Sequence, residues 1–192
     1  AMQWNFWLST HWSVFAEHVG FSVWTLFAVL VLFMPEEVYG LDAPDKFLVS
    51  AVVTLTGAVL RVPYTLATAV FGGRNWTLFS AIVLLIPATA MLWIMANPGQ
   101  PLWMYLAAGA IAGLGGANFA SSMTNINAFF PQREKGWALG LNAGGGNLGV
   151  ATIQVVGLIV IALAGNRSPH WVIGLYLVLL AVAGVGAALR MD

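Results

Sequence analysis

Residues 47–71 read FLVSAVVTLTGAVLRVPYTLATAVF, an apolar run with a single charged side chain, Arg61, near its centre. A transmembrane helix needs about 20 predominantly apolar residues, so this run is long enough to cross a bilayer. Similar runs, separated by short polar or Pro/Gly-containing breaks, give predicted spans at residues 19–38, 47–71, 76–96, 103–130, 137–165 and 171–189. The sequence therefore predicts an all-α, polytopic membrane protein with six transmembrane helices.

The composition of the chain also favours a lipid environment. Hydrophobic residues make up 60% of the 192 residues and charged residues 7%, whereas a soluble domain carries about a quarter charged residues. Seven basic and seven acidic side chains are too few to cover a core in water. The chain has no cysteine, and its three histidines, His11, His18 and His170, are scattered. We therefore expect neither a metal site nor a cofactor.

The first eighteen residues are predicted to form an aromatic N-terminal lead-in, and residues 19–192 the six-helix bundle. Residues 4–15 are rich in aromatic side chains and lack Lys, Arg, Asp and Glu. Such a stretch fits either an interfacial helix or an early start of the first span. Both alternatives remain open from the sequence.

Charges in the breaks predict the orientation of the bundle. One side of an alternating topology carries four basic residues: Arg74, Arg133, Lys135 and Arg190. The other side carries Lys46 and Arg167 with four acidic residues: Glu36, Glu37, Asp42 and Asp45. Because Lys and Arg are retained inside, both termini are expected in the cytoplasm of a cell whose plasma (inner) membrane holds the protein.

Arg61 is the charge that is predicted near the middle of a span. A central arginine costs about 2.5–3.5 kcal/mol on insertion scales, so it should face a cavity or a partner. Residues three, four and seven positions away form a small, hydroxyl-bearing stripe: Thr54, Gly57, Ala58, Tyr64, Thr65 and Thr68. We expect this stripe to face the interior of the bundle.

Two interpretations of Arg61 are open. It either pairs with an internal carboxylate or backbone carbonyls, or it binds an external anion. The sequence offers no carboxylate at mid-depth, since Glu17 is predicted near the opening of the first span and Glu134 in a loop. Because the planar guanidinium fork fits oxyanions, this lack of a counter-ion favours an anion site.

Polar side chains also mark the fourth predicted span. Asn118, Ser121, Ser122 and Asn125 are spaced as i, i+3, i+4 and i+7, so they share one helix face. Interhelical hydrogen bonding is the simpler explanation for such a face. The alternative is that it lines a substrate path.

The fifth predicted span is rich in glycine, and most of these glycines are explained by close helix packing. They are Gly136, Gly140, Gly144, Gly145, Gly146 and Gly149. Asn147 shares a face with Gly140, Gly144, Ala151 and Gln154, so its amide would stand among residues too small to block a substrate. A phosphate-binding loop is not expected, because no Walker lysine and serine follow.

Glu17 and His18 are adjacent near the predicted start of the first span. One hypothesis makes them a proton-coupling pair, and the simpler one makes them interfacial side chains wetted by headgroups. Neither is expected near Arg61.

Two runs together resemble the nitrate/nitrite porter family of the major facilitator superfamily. Residues 60–76 read LRVPYTLATAVFGGRNW, and residues 113–149 read GLGGANFASSMTNINAFFPQREKGWALGLNAGGGNLG, which contains that family's nitrate signature. The resemblance extends over residues 21–191. It implies the family fold, two six-helix halves around a central pathway, of which this chain is similar to the N-terminal half.

The resemblance also implies roles for individual residues. Arg61 matches an arginine that binds nitrate, and Phe119 matches an aromatic side chain that stacks on the planar anion. Asn147 matches an asparagine that hydrogen-bonds the anion, with Asn142 as a weaker alternative. The remaining candidates for the substrate site are Tyr64, Asn118 and Ser122. The family's second substrate arginine belongs to the C-terminal half and has no counterpart in this chain.

The sequence thus predicts nitrate and/or nitrite transport by alternating access, with this chain as the N-terminal half of a secondary transporter. The alternative is a non-transporting accessory or truncated membrane module with a structural Arg61. A pore lacks a repeated filter, and an enzyme lacks a nucleophile and base at depth. Expected partners are the nitrate or nitrite anion, the lipid bilayer and either the missing C-terminal half or a second copy. Nucleic acid is not an expected partner.

Overall fold

The computed structural model describes residues 2–32, 34–164 and 170–191, and the regular elements in these ranges are all α-helices. They are α1 (Met2–Leu32), α2 (Glu36–Tyr39), α3 (Ala43–Phe71), α4 (Gly73–Val83), α5 (Leu85–Ala96), α6 (Leu102–Ala112), α7 (Leu114–Phe129), α8 (Gln132–Ala164) and α9 (His170–Arg190). Six segments are long and apolar enough to cross a membrane: Ser9–Val31, Ala43–Phe71, Gly73–Ala96, Leu102–Phe129, Gln132–Val160 and His170–Arg190. The prediction of an all-α protein with six spans is confirmed.

Two of the six spans consist of two helices each. The span Gly73–Ala96 is interrupted at Leu84, three residues before Pro87, which has no N–H to donate to the carbonyl of Val83. The span Leu102–Phe129 is interrupted at Gly113, where the Gly116 N–H donates instead to the Gly113 carbonyl. Both interruptions keep helical dihedral angles, so each pair continues as one crossing.

The first span lies earlier in the chain than the predicted range 19–38. It covers Ser9–Val31, and Pro35 with the acidic pair Glu36 and Glu37 falls after α1 in the short helix α2 and its N-cap. The segment is long and apolar enough to span although it contains one acidic side chain, Glu17, which is buried. Glu17 therefore lies well inside the span rather than at its opening.

The predicted boundary between a lead-in and the bundle falls within α1, which continues through residue 18 without a break. Residue 1 and the side chains of residues 2–8 lie outside the described part of the structure, as do residues 165–169, with Arg167 of the predicted charge bias, and residue 192. The division at residue 18 stays a prediction.

α1 runs through the middle of the bundle and contacts α8, α7 and α9 most extensively. Its apolar face contributes Val19, Val23 and Phe27 to the main core cluster. Against α8 the contact depends on glycine: a Cβ atom at Gly145, Gly146 or Gly149 would overlap Val14, Glu17 or the His18 backbone. Packing therefore explains these three glycines, as predicted.

The outer glycines of α8 behave differently. A Cβ at Gly136, Gly140 or Gly144 would meet nothing within 4 Å in the described structure. Asn147 and Gln154 are exposed along the same side of the helix. The outer face of α8 is thus an exposed surface of small and polar residues.

The polar face of the fourth span lies inside the bundle. Its four members, Asn118, Ser121, Ser122 and Asn125, are all buried. A Cβ at Gly20 of α1 would overlap the Asn118 amide, and one at Gly73 of α4 would overlap Asn125. The face therefore joins helices within this chain, which agrees with the interhelical explanation.

The stripe around Arg61 lies on the outside, so the prediction that it faces the interior of this bundle is wrong. Thr54, Ala58, Arg61 and Thr65 are exposed, whereas Gly57 and Tyr64 on the flank of the stripe are buried. The flank is buried because α3 packs on α7 and α6 there. The exposed stripe is a second polar surface of the bundle, on α3.

Candidate functional site

Close packing of α3 against α7 places the Arg61 side chain. A Cβ at Gly57 would meet the Gly113 carbonyl, and a Cβ at Gly113 would crowd the backbone of Val53 and Gly57. With the two backbones this close, Arg61 Nε donates to the Gly116 carbonyl at 3.4 Å. The guanidinium is held at one edge and exposed at the other.

Phe119 lies beneath the Arg61 guanidinium. The Arg61 Cζ atom is 5.4 Å from the centre of the Phe119 ring, which is a cation–π distance. Phe21 of α1 stacks behind Phe119 with ring centres 6.0 Å apart, and Trp24 follows at 5.5 Å. Trp24 is itself held by a hydrogen bond from Nε1 to the Val53 carbonyl, 3.2 Å long.

Phe21 and Trp24 were not among the candidates from the sequence. Their spacing of three residues places both on one side of α1, and a stack of aromatic residues at helical spacing usually indicates plain packing. The structure shows that this stack fixes the ring against which Arg61 lies.

Asn147 is hydrogen-bonded within its own helix in the described structure. It is exposed on the outer face of α8, and its Nδ2 atom donates to the Ala143 carbonyl of the same helix at 2.8 Å. α8 packs mainly on α1 and α7, whereas α3 packs on α7 and α6. Both helices therefore pack against α7, and each presents an exposed polar residue on its outer face.

Asn142 faces the opposite way from Asn147. Five residues correspond to about 140° around a helix, so one amide is buried while the other is exposed. Asn142 is fully buried, and its Nδ2 atom donates to Glu17 Oε2 at 2.5 Å and to Ser122 Oγ at 2.9 Å. It joins α8 to α1 and α7.

Ser122 completes this inner group. Its hydroxyl donates to Glu17 Oε2, and all three side chains are buried. We refer to Glu17, Ser122 and Asn142 as the carboxyl cluster. Two of the seven predicted site residues, Ser122 and Asn142, thus contact an internal carboxyl group.

Asn118 and Tyr64 support helix packing. Asn118 is buried where α7 crosses α1. The Tyr64 ring meets the Trp76 ring of α4 edge-on, with ring centres 5.0 Å apart, and Trp76 also stacks on Phe71. These contacts fix the bend from α3 into α4 below Arg61.

Glu17 overturns one expectation from the sequence. The statement that no carboxylate lies at mid-depth is wrong, as is the expectation that Glu17 lies away from Arg61. Glu17 accepts a hydrogen bond from Ser122 of α7, and Arg61 lies over Phe119, three residues earlier on the same helix. Among the described residues, one ion pair is closer than 4.0 Å, the exposed pair of Arg133 and Glu134. Arg61 and Glu17 contact neighbouring residues of α7 but do not form a direct ion pair.

His18 turns toward α8 instead of the carboxyl cluster. Its Nδ1 atom lies 2.9 Å from the Gly145 carbonyl oxygen. Within the described residues, no group of three His, Cys, Asp or Glu side chains is arranged to bind a metal ion. Arg61, which lies over Phe119, can offer a positive charge and planar hydrogen-bond donors to an anion.

Comparison with known proteins gives two consistent results. The family model described as Major Facilitator Superfamily matches residues 18–192. The Nitrate/nitrite transporter NarU of Escherichia coli is 40% identical over 157 residues, which cover 82% of this chain and 33% of the relative. NarU of Salmonella typhimurium is 39% identical over 159 residues, which cover 83% and 34%.

A more distant relative has a similar description. The Probable nitrate/nitrite antiporter NarK2 of Thermus thermophilus is 34% identical over 157 residues, covering 81% of this chain and 34% of the relative. The chain thus spans about a third of the length of the curated relatives it matches. These matches confirm the resemblance that was drawn from residues 60–76 and 113–149.

Proposed function

Since the chain belongs to the nitrate/nitrite porter family of the Major Facilitator Superfamily, we propose that it is the N-terminal half of a secondary transporter for nitrate and/or nitrite. Transport occurs by alternating access, in which two halves move around a site near the middle of the membrane. The observation that carries the proposal is the exposed guanidinium of Arg61, held against Phe119 in a membrane span.

The geometry of Arg61 suits a small planar anion. In the described structure, Arg61 Nε donates a hydrogen bond to the Gly116 carbonyl oxygen. The two terminal nitrogens are then available to donate in parallel to two oxygens of nitrate or nitrite. Because the fork is planar, it sets the plane of the anion as well as its position.

Phe119 supports the guanidinium from below and gives the anion an apolar ring to lie against. An arginine that stacks on an aromatic face keeps its donors in one plane without further hydrogen bonds. The stack of Phe21 and Trp24 holds the ring from behind. The anion is therefore recognised by a preformed plane rather than by charge alone.

Asn147 supplies a further donor to the anion in this proposal. Its amide lies on the exposed face of α8, where a Cβ added at Gly140 or Gly144 would meet nothing within 4 Å in the described structure. The other four candidates support the site without contacting the anion, because their observed partners lie within the bundle. They are Asn142, Ser122, Asn118 and Tyr64.

A second six-helix half, or a second copy of this chain, covers the exposed faces of α3 and α8 in the working transporter. Two observations support this: both faces carry small and polar residues, and the relatives are about three times as long as the matched segment. We further propose that the protein lies in the plasma (inner) membrane with both termini in the cytoplasm, and that it is a carrier and not an enzyme.

The alternative function is a non-transporting membrane module. It is favoured by the Arg61 contacts with Gly116 and Phe119, which also join α3 to α7. If these contacts are only structural, loss of the guanidinium weakens folding and leaves anion binding unexplained.

Binding of labelled nitrate to the complete transporter that carries this half separates the two functions. Wild type and Arg133→Ala, which removes an exposed arginine at the start of α8, are expected to bind nitrate equally. Arg61→Ala is expected to lose binding while it elutes as a monodisperse protein. Equal nitrate binding by Arg61→Ala and wild type contradicts the transport site.

A further inference from the structure

Among the described residues, Glu17 is the carboxyl group that the fold buries, with 1% of its surface exposed. One of its oxygens, Oε2, accepts hydrogen bonds from Ser122 of α7 and Asn142 of α8. Gly146 lies so close that an added Cβ would overlap Oε1. The carboxyl group is thus held by three helices and by neutral partners.

Several oxygen acceptors near the carboxyl lack a donor. Glu17 Oε1, Asn118 Oδ1 and Asn142 Oδ1 are buried without a hydrogen-bond partner in the part of the chain that the structure describes. A carboxylate only accepts hydrogen bonds, whereas a protonated carboxyl group also donates one. Burial of a charge is also far less favourable than burial of the neutral acid. These surroundings suit a carboxyl group that takes up a proton.

The carboxyl cluster and the Arg61 group share α7. Gly116 contacts Arg61, Ser122 contacts Glu17, and six residues correspond to about 9 Å along a helix. Phe119, over which Arg61 lies, is only three residues from Ser122, so the two charged groups are within range of an electrostatic interaction. The charge state of Glu17 therefore changes how strongly Arg61 attracts an anion.

We propose that Glu17, held by Ser122 and Asn142, is a proton-binding site whose occupancy sets the affinity of Arg61 for its anion. This inference rests on the proposed function of Arg61. An ionised Glu17 repels an approaching anion, and a proton on Glu17 removes the repulsion. A bound anion in turn cancels the positive field that stabilises the carboxylate. Each ligand therefore strengthens binding of the other by the same factor.

The proton reaches Glu17 from water and leaves to water, so no other reactant is needed. A narrow polar cavity lies beside the carboxyl group between α1, α4 and α7. It is lined by Ser13, Thr77, Ser80, Asn118, Ser121 and Ser122. These hydroxyl and amide groups are neutral, so Glu17 is the group in the lining of this cavity that can carry a charge.

The other titratable groups around α1 lie elsewhere. On α3, Arg61 lies over Phe119 and Tyr64 faces Trp76 of α4. On α9, Tyr176 belongs to the apolar core with Val19. His11 and His18 line a separate groove between α1 and α8. Glu17 is therefore the group to which proton uptake linked to the anion is assigned.

Isothermal titration of nitrate into the complete transporter, in two buffers of different ionisation enthalpy, measures proton uptake per bound anion. Wild type is expected to take up a fraction of a proton, at most one. Its nitrate affinity is expected to rise by up to about tenfold per unit fall in pH, the limit for one linked proton. Glu17→Gln, which keeps the shape without the charge, is expected to bind nitrate with no proton uptake and no dependence on pH.

Glu134→Gln is the matched control, since it removes a carboxyl group at the exposed start of α8, and it is expected to behave as wild type. Proton uptake by Glu17→Gln equal to wild type overturns the inference, as does nitrate binding by wild type without proton uptake at any pH. A wild type that binds no nitrate overturns the proposed function itself, so the two failures are distinct.

Ser122→Ala is the second variant, for the case in which Glu17→Gln does not fold. It keeps the carboxyl group and removes one of its two donors. Because the charged form loses a hydrogen bond, the midpoint of proton uptake is expected to move to higher pH. An unchanged midpoint contradicts a role for the carboxyl cluster in proton binding.

Discussion

Arg61 and Glu17 lie against the same helix, α7, in opposite surroundings. Arg61 is exposed on the outer face of the bundle, with its guanidinium against a carbonyl oxygen and an aromatic ring. Glu17 is enclosed by three helices and bonded to neutral groups. The fold therefore leaves the Arg61 guanidinium open to a partner and encloses the Glu17 carboxyl group. The first arrangement suits binding of an ion, and the second suits binding of a proton.

The two faces of α8 show the same division. The inner face is fixed by backbone contact at Gly145, Gly146 and Gly149, with the Ser22 hydroxyl donating to the Gly149 carbonyl at 2.9 Å. The outer face, with Gly140, Gly144 and Asn147, has no neighbour in the described chain at the two glycines. Glycine thus allows close packing on one face of α8 and leaves the other face open, where we propose that a second half packs.

The largest expected effect is that of Arg61→Lys. Nitrate uptake by the complete transporter should fall about 100-fold, nearly as far as in Arg61→Ala, on the scale for loss of a hydrogen bond to a charged group. Lysine keeps the charge but loses the planar fork and the stacking on Phe119. The assay is initial-rate uptake at matched expression, with the exposed Arg133→Lys as control. Near-normal uptake by Arg61→Lys means that the site recognises charge and not shape.

The contact between α1 and α8 is tested by comparing the stability of Gly146→Ala with that of Gly144→Ala. An added Cβ at Gly146 overlaps Glu17, whereas one at Gly144 enters open space. Gly146→Ala should lower the free energy of unfolding by about 1–3 kcal/mol, the usual effect of overpacking. The measurement is chemical unfolding of the purified chain in detergent. If both variants are equally stable, α1 and α8 are not in contact at Gly146.

Most of the architecture follows from the sequence because it depends on apolar length. The ends of five spans agree with the prediction to within a few residues, since Pro, Gly and charged residues mark the breaks. The first span was placed at residue 19 instead of Ser9. The aromatic, uncharged residues 4–15 fitted either an interfacial helix or an early start of the first span, and the structure agrees with the early start from Ser9 onward. Placing the span at residue 19 left Glu17 out of the list of mid-depth charges.

The site was predicted only in part, because helical periodicity gives faces but not their neighbours. The pairing of Arg61 with Phe119 agrees with the resemblance, and the substrate roles of the seven candidates stay predictions. Whether the Arg61 stripe points inward depends on which side α6 and α7 pack, and the sequence of α3 does not contain that information. Asn142 and Asn147 differ for the same reason, since both lie in one glycine-rich run on opposite faces.

A smaller effect is expected from Phe119→Leu. Leucine keeps apolar volume but has no ring face for the guanidinium, and a partly exposed cation–π contact is worth about 1 kcal/mol. Nitrate affinity of the complete transporter should fall about fivefold with little change in stability. Phe47→Leu, at an exposed position near the start of α3, is the control and should bind as wild type. Unchanged affinity in Phe119→Leu means that Arg61 is positioned by the Gly116 carbonyl alone.

The smallest effect is expected from Asn147→Ala, compared with Gln154→Ala two turns further along the same exposed face of α8. The Asn147 amide is neutral and already donates to the Ala143 carbonyl, so a bond to the anion replaces an existing bond. The net contribution of such an exchange is about 1 kcal/mol or less, equivalent to at most about a fivefold change in affinity. Titration of nitrate into each variant measures it, and Gln154→Ala should match wild type. If Asn147→Ala also matches wild type, the outer face of α8 is a packing surface for the second half, and recognition of the anion within this chain is left to Arg61 and Phe119.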